Sequence, residues 1–254
     1  MSAFFHLNRK PSFGLLAIAR RGILIGALGA SQMMPLVGEE AAAPAPADAA
    51  SILRSVRAAQ ASMHETFQGK LRRGSRSLAY RMVIDGPVLR FEFPAAEGKD
   101  PQTVVIRSGS FDATLEVRDA AGKLLSVRFH EEVAGMGISY EDLALRFLFW
   151  PGATLEGEER LMLSKCWKIR VKRPKASASA YEEVVLWVSQ SNGAFLKSEA
   201  YGEHGVLVRR LTVRSVQTIG GATALKQLRA ESPNEGGDPS YLDVEGERVA
   251  RPPK

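Results

Sequence analysis

The stretch that decides the fold lies late in the chain, where residues 184–188 read VVLWV and Asn192-Gly193 follows four residues later. Five consecutive apolar residues, three of them valine, are typical of a strand that is buried on both faces. Asn-Gly is the strongest short signal for a hairpin turn, because both residues tolerate a positive φ. The stretch therefore predicts a central strand that returns at once as its own antiparallel neighbour.

Strands are also predicted on both sides of this hairpin. Upstream, Trp167, Ile169 and Val171 alternate with basic residues, and downstream Leu211 and Val213 do the same. Alternation with a period of two is typical of a half-buried strand, so the apolar side chains face the interior and the basic ones face water. This arrangement explains the local positive charge without a polyanionic partner.

The same alternation recurs in the first half of the chain, in residues 67–71, 78–84, 89–93, 113–117 and 125–129. Short turn sequences such as Asp85-Gly86-Pro87 separate several of these segments. About ten strands in succession with short links favour one large antiparallel sheet, curled or closed as a barrel, over an α/β fold. The predicted class is mainly β with helices (α+β).

Two helices are expected beside this sheet. Asp48 can cap a first helix whose apolar residues Ile52, Val56 and Met63 fall at helical spacing. A second helix is inserted between strands, where Ser139 and Asp142 have the spacing of a capping box. Its apolar residues continue at helical intervals until Pro151-Gly152, and they are Tyr140, Leu143, Phe147 and Trp150. This apolar helix is expected to pack inside the concavity of the sheet or to cover it.

Composition divides the chain into four parts. Arg20 and Arg21 precede the uncharged run GILIGALGASQMMPLV of residues 22–37, so residues 1–40 are predicted to be a cleaved signal peptide for export to the periplasm. Residues 41–48 (AAAPAPAD) form an Ala/Pro linker, and residues 49–230 form the folded domain. Residues 231–254 are rich in Pro, Gly and charge, so a flexible tail is expected there.

The composition also argues against several classes of function. The formal charge of +6 comes from scattered basic residues, which gives little support for nucleic-acid binding. The single cysteine, Cys166, excludes an intrachain disulfide and a multi-cysteine metal site. His130-Glu131 begins like a zinc-protease helix, but Ala134 stands where the second histidine is required. We therefore expect no catalytic residues, no metal and no cofactor, and predict that the protein is not an enzyme.

Several segments together resemble a known family, and they read GISYEDL (137–143), RFLFW (146–150), LEGEE (155–159), CWKI (166–169), GAFLKSEAY (193–201) and RLTVRSVQTI (210–219). They resemble the LolA-like outer-membrane lipoprotein-sorting proteins over most of residues 52–229. The resemblance implies a half-open antiparallel barrel covered by the N-terminal and inserted helices. It also implies an apolar interior that receives acyl chains.

By this resemblance, the protein is a periplasmic carrier that delivers lipoproteins to the outer membrane. An inner-membrane extractor would load it, an outer-membrane receptor would unload it, and it would act as a monomer. No cysteine lies near the end of the signal peptide, so a soluble carrier is expected rather than a lipid-anchored receptor. The alternative is a periplasmic sensor or scaffold of the same fold that binds lipid or lipoprotein, and an exported hydrolase is a third possibility.

Six large apolar residues are the candidates for the lining of the lipid cavity. Three lie on the inserted helix and three on predicted strands, and they are Leu143, Phe147, Trp150, Phe91, Phe93 and Trp187. The competing interpretation is that each of them is an ordinary core residue.

Overall fold

The computed structural model describes residues 17–18, 48–95, 100–110, 112–161, 163–219 and 222–246. Apart from Ala17–Ile18, the predicted signal peptide lies outside the described residues, as do residues 41–47 of the linker and residues 247–254. Ala17–Ile18 forms a short strand, β1, which pairs with residues 223 and 224.

Fourteen strands in the described part of the chain form one sheet, and every strand pair is antiparallel. After β1, the strands are β2 (His64–Arg73), β3 (Arg76–Asp85), β4 (Val88–Phe93), β5 (Gln102–Ser108), β6 (Ala113–Asp119), β7 (Leu124–Leu125), β8 (Thr154–Leu161), β9 (Ser164–Lys172), β10 (Glu183–Ser189), β11 (Phe195–Tyr201), β12 (Leu207–Ile219), β13 (Ala222–Glu231) and β14 (Ser240–Gly246). Their order is β7-β6-β5-β4-β3-β2-β14-β13-β12-β11-β10-β9-β8, with β1 beside β13.

The mainly antiparallel β class is thus confirmed, and the sheet is not closed, because β7 and β8 form its two edges. The expected number of about ten strands was too low, since the described residues contain fourteen. The predicted returning strand at 125–129 is also shorter than expected, since β7 ends at Leu125. Strands of two residues carry too few side chains to show a period.

The largest difference from the sequence prediction concerns the expected tail. Residues 240–246 form β14, which lies between β13 and β2 and joins the two halves of the sheet. Only Leu242 and Val244 of β14 are large, apolar and buried, so its sequence pattern is weak. Its backbone is held by partners far away in sequence, which composition cannot reveal.

A glycine allows β14 to approach β2 closely. Gly69 pairs with Val244, and Tyr80 packs over this glycine and donates a hydrogen bond from its hydroxyl to the Asp243 carbonyl oxygen at 2.8 Å. A Cβ at position 69 would overlap both this carbonyl oxygen and the Tyr80 ring. Glycine is therefore required here for lack of space, not for a special φ.

The first helix, α1 (Ala49–Ala61), forms as predicted. The side chain of Asp48 accepts hydrogen bonds from the backbone N–H groups of Ala50 and Ser51. The buried side of α1 carries Ile52 and Val56, and it packs against the main hydrophobic core.

The inserted segment differs from the single helix predicted between residues 140 and 150. The capping box is present, because Asp142 N–H donates to Ser139 Oγ at 3.1 Å and Ser139 N–H donates to Asp142 Oδ2 at 3.0 Å. The helix α2 (Tyr140–Ala144) nevertheless ends at Leu145, which has the left-handed angles φ 45° and ψ 43°. A 3-10 helix, Arg146–Phe149, follows. We call residues 138–150 the lid segment.

The change of direction at Leu145 places a buried arginine in a network of polar groups. Arg146 donates from Nε and Nη2 to the two carboxylate oxygens of Asp112, at 2.8 and 2.6 Å. Its Nη1 donates to the carbonyl oxygen of Ala178 at 2.8 Å and lies 3.6 Å from the buried carboxylate of Glu141. Glu141 also accepts from the Ser179 hydroxyl. These contacts offset the cost of the left-handed conformation and explain why a continuous helix does not form.

A second buried ion pair fastens α2 to the sheet. Arg209 Nη2 on β12 lies 3.0 Å from Asp142 Oδ2, and Arg209 Nη1 donates to the carbonyl oxygen of Gly137 at 3.1 Å. The hydroxyl of Tyr181 donates to Asp142 Oδ1 at 2.7 Å. The lid segment is therefore held by two arginine–carboxylate pairs, on either side of the left-handed turn.

The two carboxylates beside Arg146, those of Asp112 and Glu141, have pKa values that shift in opposite directions. Burial acts to raise the pKa of Asp112, but hydrogen bonds from Arg146 and from the Ala113 backbone outweigh it and hold this pKa below its usual range. Burial raises the pKa of Glu141 above its usual range, and contacts with Ser179 and Arg146 oppose the shift only in part. Asp112 therefore keeps its negative charge beside Arg146 to a lower pH than Glu141 does.

We expect Asp112→Asn to reduce the free energy of unfolding at pH 7 by about 2 kcal/mol. Breaking a fully buried pair costs about 3–5 kcal/mol, and the loss is smaller here because Asp112 is partly exposed. Since its pKa is lowered in the folded state, Asp112 stabilises the fold above its unfolded pKa of about 3.9, and this contribution is lost as the pH falls through the folded-state pKa. The difference between variant and wild type should narrow from pH 5 to pH 3 in urea denaturation. The control, Asp85→Asn, removes an exposed pair with His64 and should change stability by about 0.5 kcal/mol or less. Equal stability of Asp112→Asn and wild type at pH 7 would contradict this role.

We expect Gly69→Ala to lower the free energy of unfolding by about 3 kcal/mol or more, because the added methyl group forces β14 and Tyr80 away from β2. The matched control is Gly122→Ala, where no atom lies within 4 Å and only a φ of 78° opposes the change, at a cost of about 1–2 kcal/mol. Thermal unfolding followed by circular dichroism measures both variants. A smaller loss at position 69 than at position 122 would show that β14 does not need this close approach.

Candidate functional site

An internal cavity lies between the sheet and the elements that cover it. Its walls come from the end of α1, from the lid segment, and from strands β3, β4 and β11 to β14. The centre of a water-sized sphere can occupy about 90 Å³ of this cavity, whereas one water needs about 10–15 Å³. The space is therefore a cavity and not a single packing defect.

The lining of the cavity is almost entirely apolar. Among the described residues that line it, only Gln60 and Asp142 are polar. Asp142 presents no free charge, because its oxygens are bonded to Tyr181, Arg209 and the Ser139 backbone. A surface of this kind suits a hydrocarbon chain, since it offers dispersion contacts and no unpaired charge to desolvate.

One polar atom at the wall of the cavity has no partner. The Oε1 atom of Gln60, near the end of α1, is buried and makes no hydrogen bond within the described part of the chain. A buried acceptor without a donor is costly and rare in folded proteins. This atom is therefore available to a donor group on a ligand.

The structure divides the predicted lining residues into separate groups. Phe91 and Leu143 line the cavity. Phe147 and Trp150 are buried within the core and do not reach the cavity. Phe93 lines a separate surface depression, together with Tyr80. Within the lid segment, residues of α2 therefore line the cavity, whereas the large residues that follow them pack into the core.

Trp187, the sixth candidate, lies on the face of β10 opposite to the main core. It belongs to a small cluster with Cys166 and Val185 that is separate from the main core. The ammonium groups of Lys168 and Lys197 lie 5.5 and 4.2 Å from the centre of its ring. Because β10 is buried on both faces, its sequence could not show which face packs against the main core.

Several lining residues were not among the sequence candidates. Leu211, Leu228 and Leu242 come from three different strands, β12, β13 and β14, and all three line the cavity. Leu211 alternates with polar neighbours, which was the available signal for an inward side chain. Leu242 lies in the segment that was predicted to be a tail, so no signal for it was recognised.

The two covering elements are also joined to each other. Arg57 Nη1 on α1 donates a hydrogen bond to the carbonyl oxygen of Leu148 at 2.7 Å. Its guanidinium group lies over the ring of Phe149, at 5.7 Å from the ring centre. The helix α1 and the lid segment therefore cover the cavity as one connected wall.

The described residues show no grouping of three His, Cys, Asp or Glu side chains that could hold a metal ion. No helix in that part of the chain is long and apolar enough to cross a membrane.

Comparison with known proteins places the chain in a family. A family model described as "Uncharacterized protein" matches residues 122–251, slightly more than half of the chain. No curated protein matches the chain.

Solved structures show the same fold. A LolA superfamily protein from Nitrosomonas europaea is 19% identical, with a TM-score of 0.61, over 82% of this chain and 96% of its own. A domain named for outer membrane lipoprotein sorting, from Vibrio parahaemolyticus, is 13% identical with a TM-score of 0.62, over 78% of this chain and 92% of its own. A DUF1329 family protein from Desulfovibrio piger is 18% identical with a TM-score of 0.58, over 80% and 93%.

These identities are low, so the likeness concerns the fold, and it agrees with the open antiparallel sheet and its two covering elements. The chain belongs to the family that this model describes, and its fold is similar to that of the LolA superfamily protein from Nitrosomonas europaea.

Proposed function

We propose that this protein is a periplasmic carrier that shields the acyl chains of lipoproteins in its apolar cavity and delivers them to the outer membrane. The observation that carries the proposal is the apolar lining of the cavity. Among the described lining residues, the only carboxylate is that of Asp142, and Arg209 neutralises it. The similarity in fold to a domain named for outer membrane lipoprotein sorting supports the same role.

The physical need for such a carrier follows from the cost of exposing hydrocarbon to water. Each methylene group removed from water contributes about 0.8 kcal/mol, so free acyl chains leave a membrane slowly. A cavity that supplies many weak apolar contacts lowers this cost without a single strong anchor. The cargo can then be released when a receptor offers a comparable apolar surface.

Within the covering wall, α1 is the element that can move at the lowest cost, because the lid segment is held by two arginine–carboxylate pairs. The strands are held by continuous backbone ladders, whereas the contacts found between α1 and the rest of the described chain include few backbone hydrogen bonds. Local opening generally involves elements with fewer such bonds. Cargo therefore enters beside α1 and the lid segment, not through the sheet.

The proposal includes several features inferred from the sequence. Residues 1–40 act as the export signal, the mature protein works as a monomer without enzymatic activity, and acylated lipoproteins are its cargo. An inner-membrane extractor and an outer-membrane receptor are its partners. The sensor or scaffold role is the competing function, and it uses the same cavity with different partners.

We expect Ala144→Phe to weaken binding of a synthetic triacylated peptide at least about tenfold, because the added ring occupies the cavity. Leu228→Ala, which enlarges the cavity, should bind at least as well as wild type. Val206→Phe adds the same ring at an exposed position and should have no effect. Isothermal titration calorimetry measures the affinities, with the same peptide without acyl chains as the ligand control.

Thermal unfolding of each variant separates a filled cavity from a lost fold. If wild type does not bind the acylated peptide, or if Ala144→Phe folds and binds as well as wild type, the cavity is not the acyl site.

We expect depletion of this protein in its own cells to leave lipoproteins in the inner membrane. Fractionation of the envelope and detection of several lipoproteins measure this outcome. Depletion that leaves lipoproteins correctly placed but alters an envelope stress response would overturn the carrier role in favour of the sensor.

A further inference from the structure

Another depression, distinct from the one that Phe93 lines, adjoins the apolar cavity beside α1. The centre of a water-sized sphere can occupy about 300 Å³ of this depression. The residues that define it are Arg57, Gln60, Pro87, Ser108, Ser110 and Phe149. Gln60 lines both this depression and the apolar cavity, so it marks the point where they meet. We call this space the α1 depression.

The α1 depression contains a cation without an acidic partner. The guanidinium group of Arg57 contacts the Leu148 carbonyl oxygen and the Phe149 ring, and no carboxylate in the described residues lies within 4.0 Å of it. Burial, and next the like charge of Arg54, lower the pKa of Arg57 below its usual value. Arg54 also has no ion pair among the described residues, and its Nη2 donates to the Ser51 hydroxyl at 2.6 Å.

This absence of pairing contrasts with most arginines of the sheet. Arg72, Arg81, Arg170, Arg209 and Arg210 each have a carboxylate within ion-pair distance. A half-buried arginine beside a second cation is destabilised by desolvation and repulsion, and a bound anion removes both costs. The planar guanidinium group suits the oxygens of a phosphate or a carboxylate.

We infer that the α1 depression binds the anionic head of a lipid whose acyl chains occupy the apolar cavity. Arg57 contacts the phosphate or carboxylate of the head, and the unpartnered Oε1 of Gln60 accepts a hydrogen bond from a hydroxyl or amide N–H at the junction. The inference rests on the proposed function, and it narrows the cargo to acylated molecules that carry a negative charge next to their chains.

The test compares two ligands with the same chains, dioctanoyl phosphatidylglycerol and dioctanoylglycerol, by isothermal titration calorimetry with the full chain. The charged lipid should bind about tenfold more tightly than the neutral one. Arg57→Gln should remove this preference, so that the variant binds the two lipids with equal affinity, whatever the absolute value of that affinity. Arg57→Lys, which keeps the charge, should retain part of the preference.

A matched control and a separate anion complete the design. Arg214→Gln removes the charge of an exposed arginine without an ion pair in the described residues, and it should keep the full preference. Inorganic phosphate alone should bind much more weakly than phosphatidylglycerol, because it lacks the chains.

Each outcome has a defined meaning. Equal affinity of wild type for the two lipids, or an unchanged preference in a folded Arg57→Gln variant, would overturn the inference while leaving acyl binding intact. Phosphate that binds as tightly as phosphatidylglycerol would make the depression a site for free anions and would also overturn it. Failure of both lipids to bind would instead overturn the proposed function.

Discussion

The pairing of β14 with both β13 and β2 is the constraint on which the rest of the structure depends. The strands before the lid segment and those after it form two antiparallel arrays, and β14 is the element whose backbone hydrogen bonds join them. The cavity needs both arrays, since Met82 and Phe91 come from one and Leu211 and Leu228 from the other. Without β14, the two arrays would have no common concave face and the cavity would have no walls.

Buried ion pairs determine where the lid segment lies on this sheet. Arg146 and Arg209 fasten the lid segment from two sides, and each has a carboxylate within 3.0 Å. Burying such groups is costly unless every partner is present, so the network permits one position of the segment and disfavours alternatives. The same network neutralises Asp142, which keeps the adjacent cavity suitable for hydrocarbon.

The distribution of charge therefore links the fold to its proposed use. The two arginines that hold the lid segment, Arg146 and Arg209, each contact a carboxylate, whereas at the α1 depression Arg57 contacts only a carbonyl oxygen and an aromatic ring among the described residues. The apolar cavity and this cation meet at Gln60. An acyl chain joined to an anionic head has the same order of groups, which is the basis for the inferred cargo.

Local patterns in the sequence determined much of the fold. Each of these patterns involves residues within a few positions of one another, so the sequence alone is enough to recognise it. They are the Asn192-Gly193 turn, the Asp48 cap, the Ser139 capping box and the alternation in β2 to β4. These patterns predicted the antiparallel class. Of the six residues that were proposed to line a cavity, Phe91 and Leu143 lie at the apolar cavity.

Only the tertiary structure decided the rest, because the partners involved are far apart in the chain. The place of β14 depends on backbone pairing with β2, whose residues lie more than 160 positions earlier, and on the hydrogen bond from the Tyr80 hydroxyl to the Asp243 carbonyl oxygen. The turn at Leu145 depends on the pairing of Arg146 with Asp112, which is 34 residues earlier. β10 is apolar on both faces, and only its packing decided that Val184, Leu186 and Val188 face the main core while Trp187 faces the other side of the sheet.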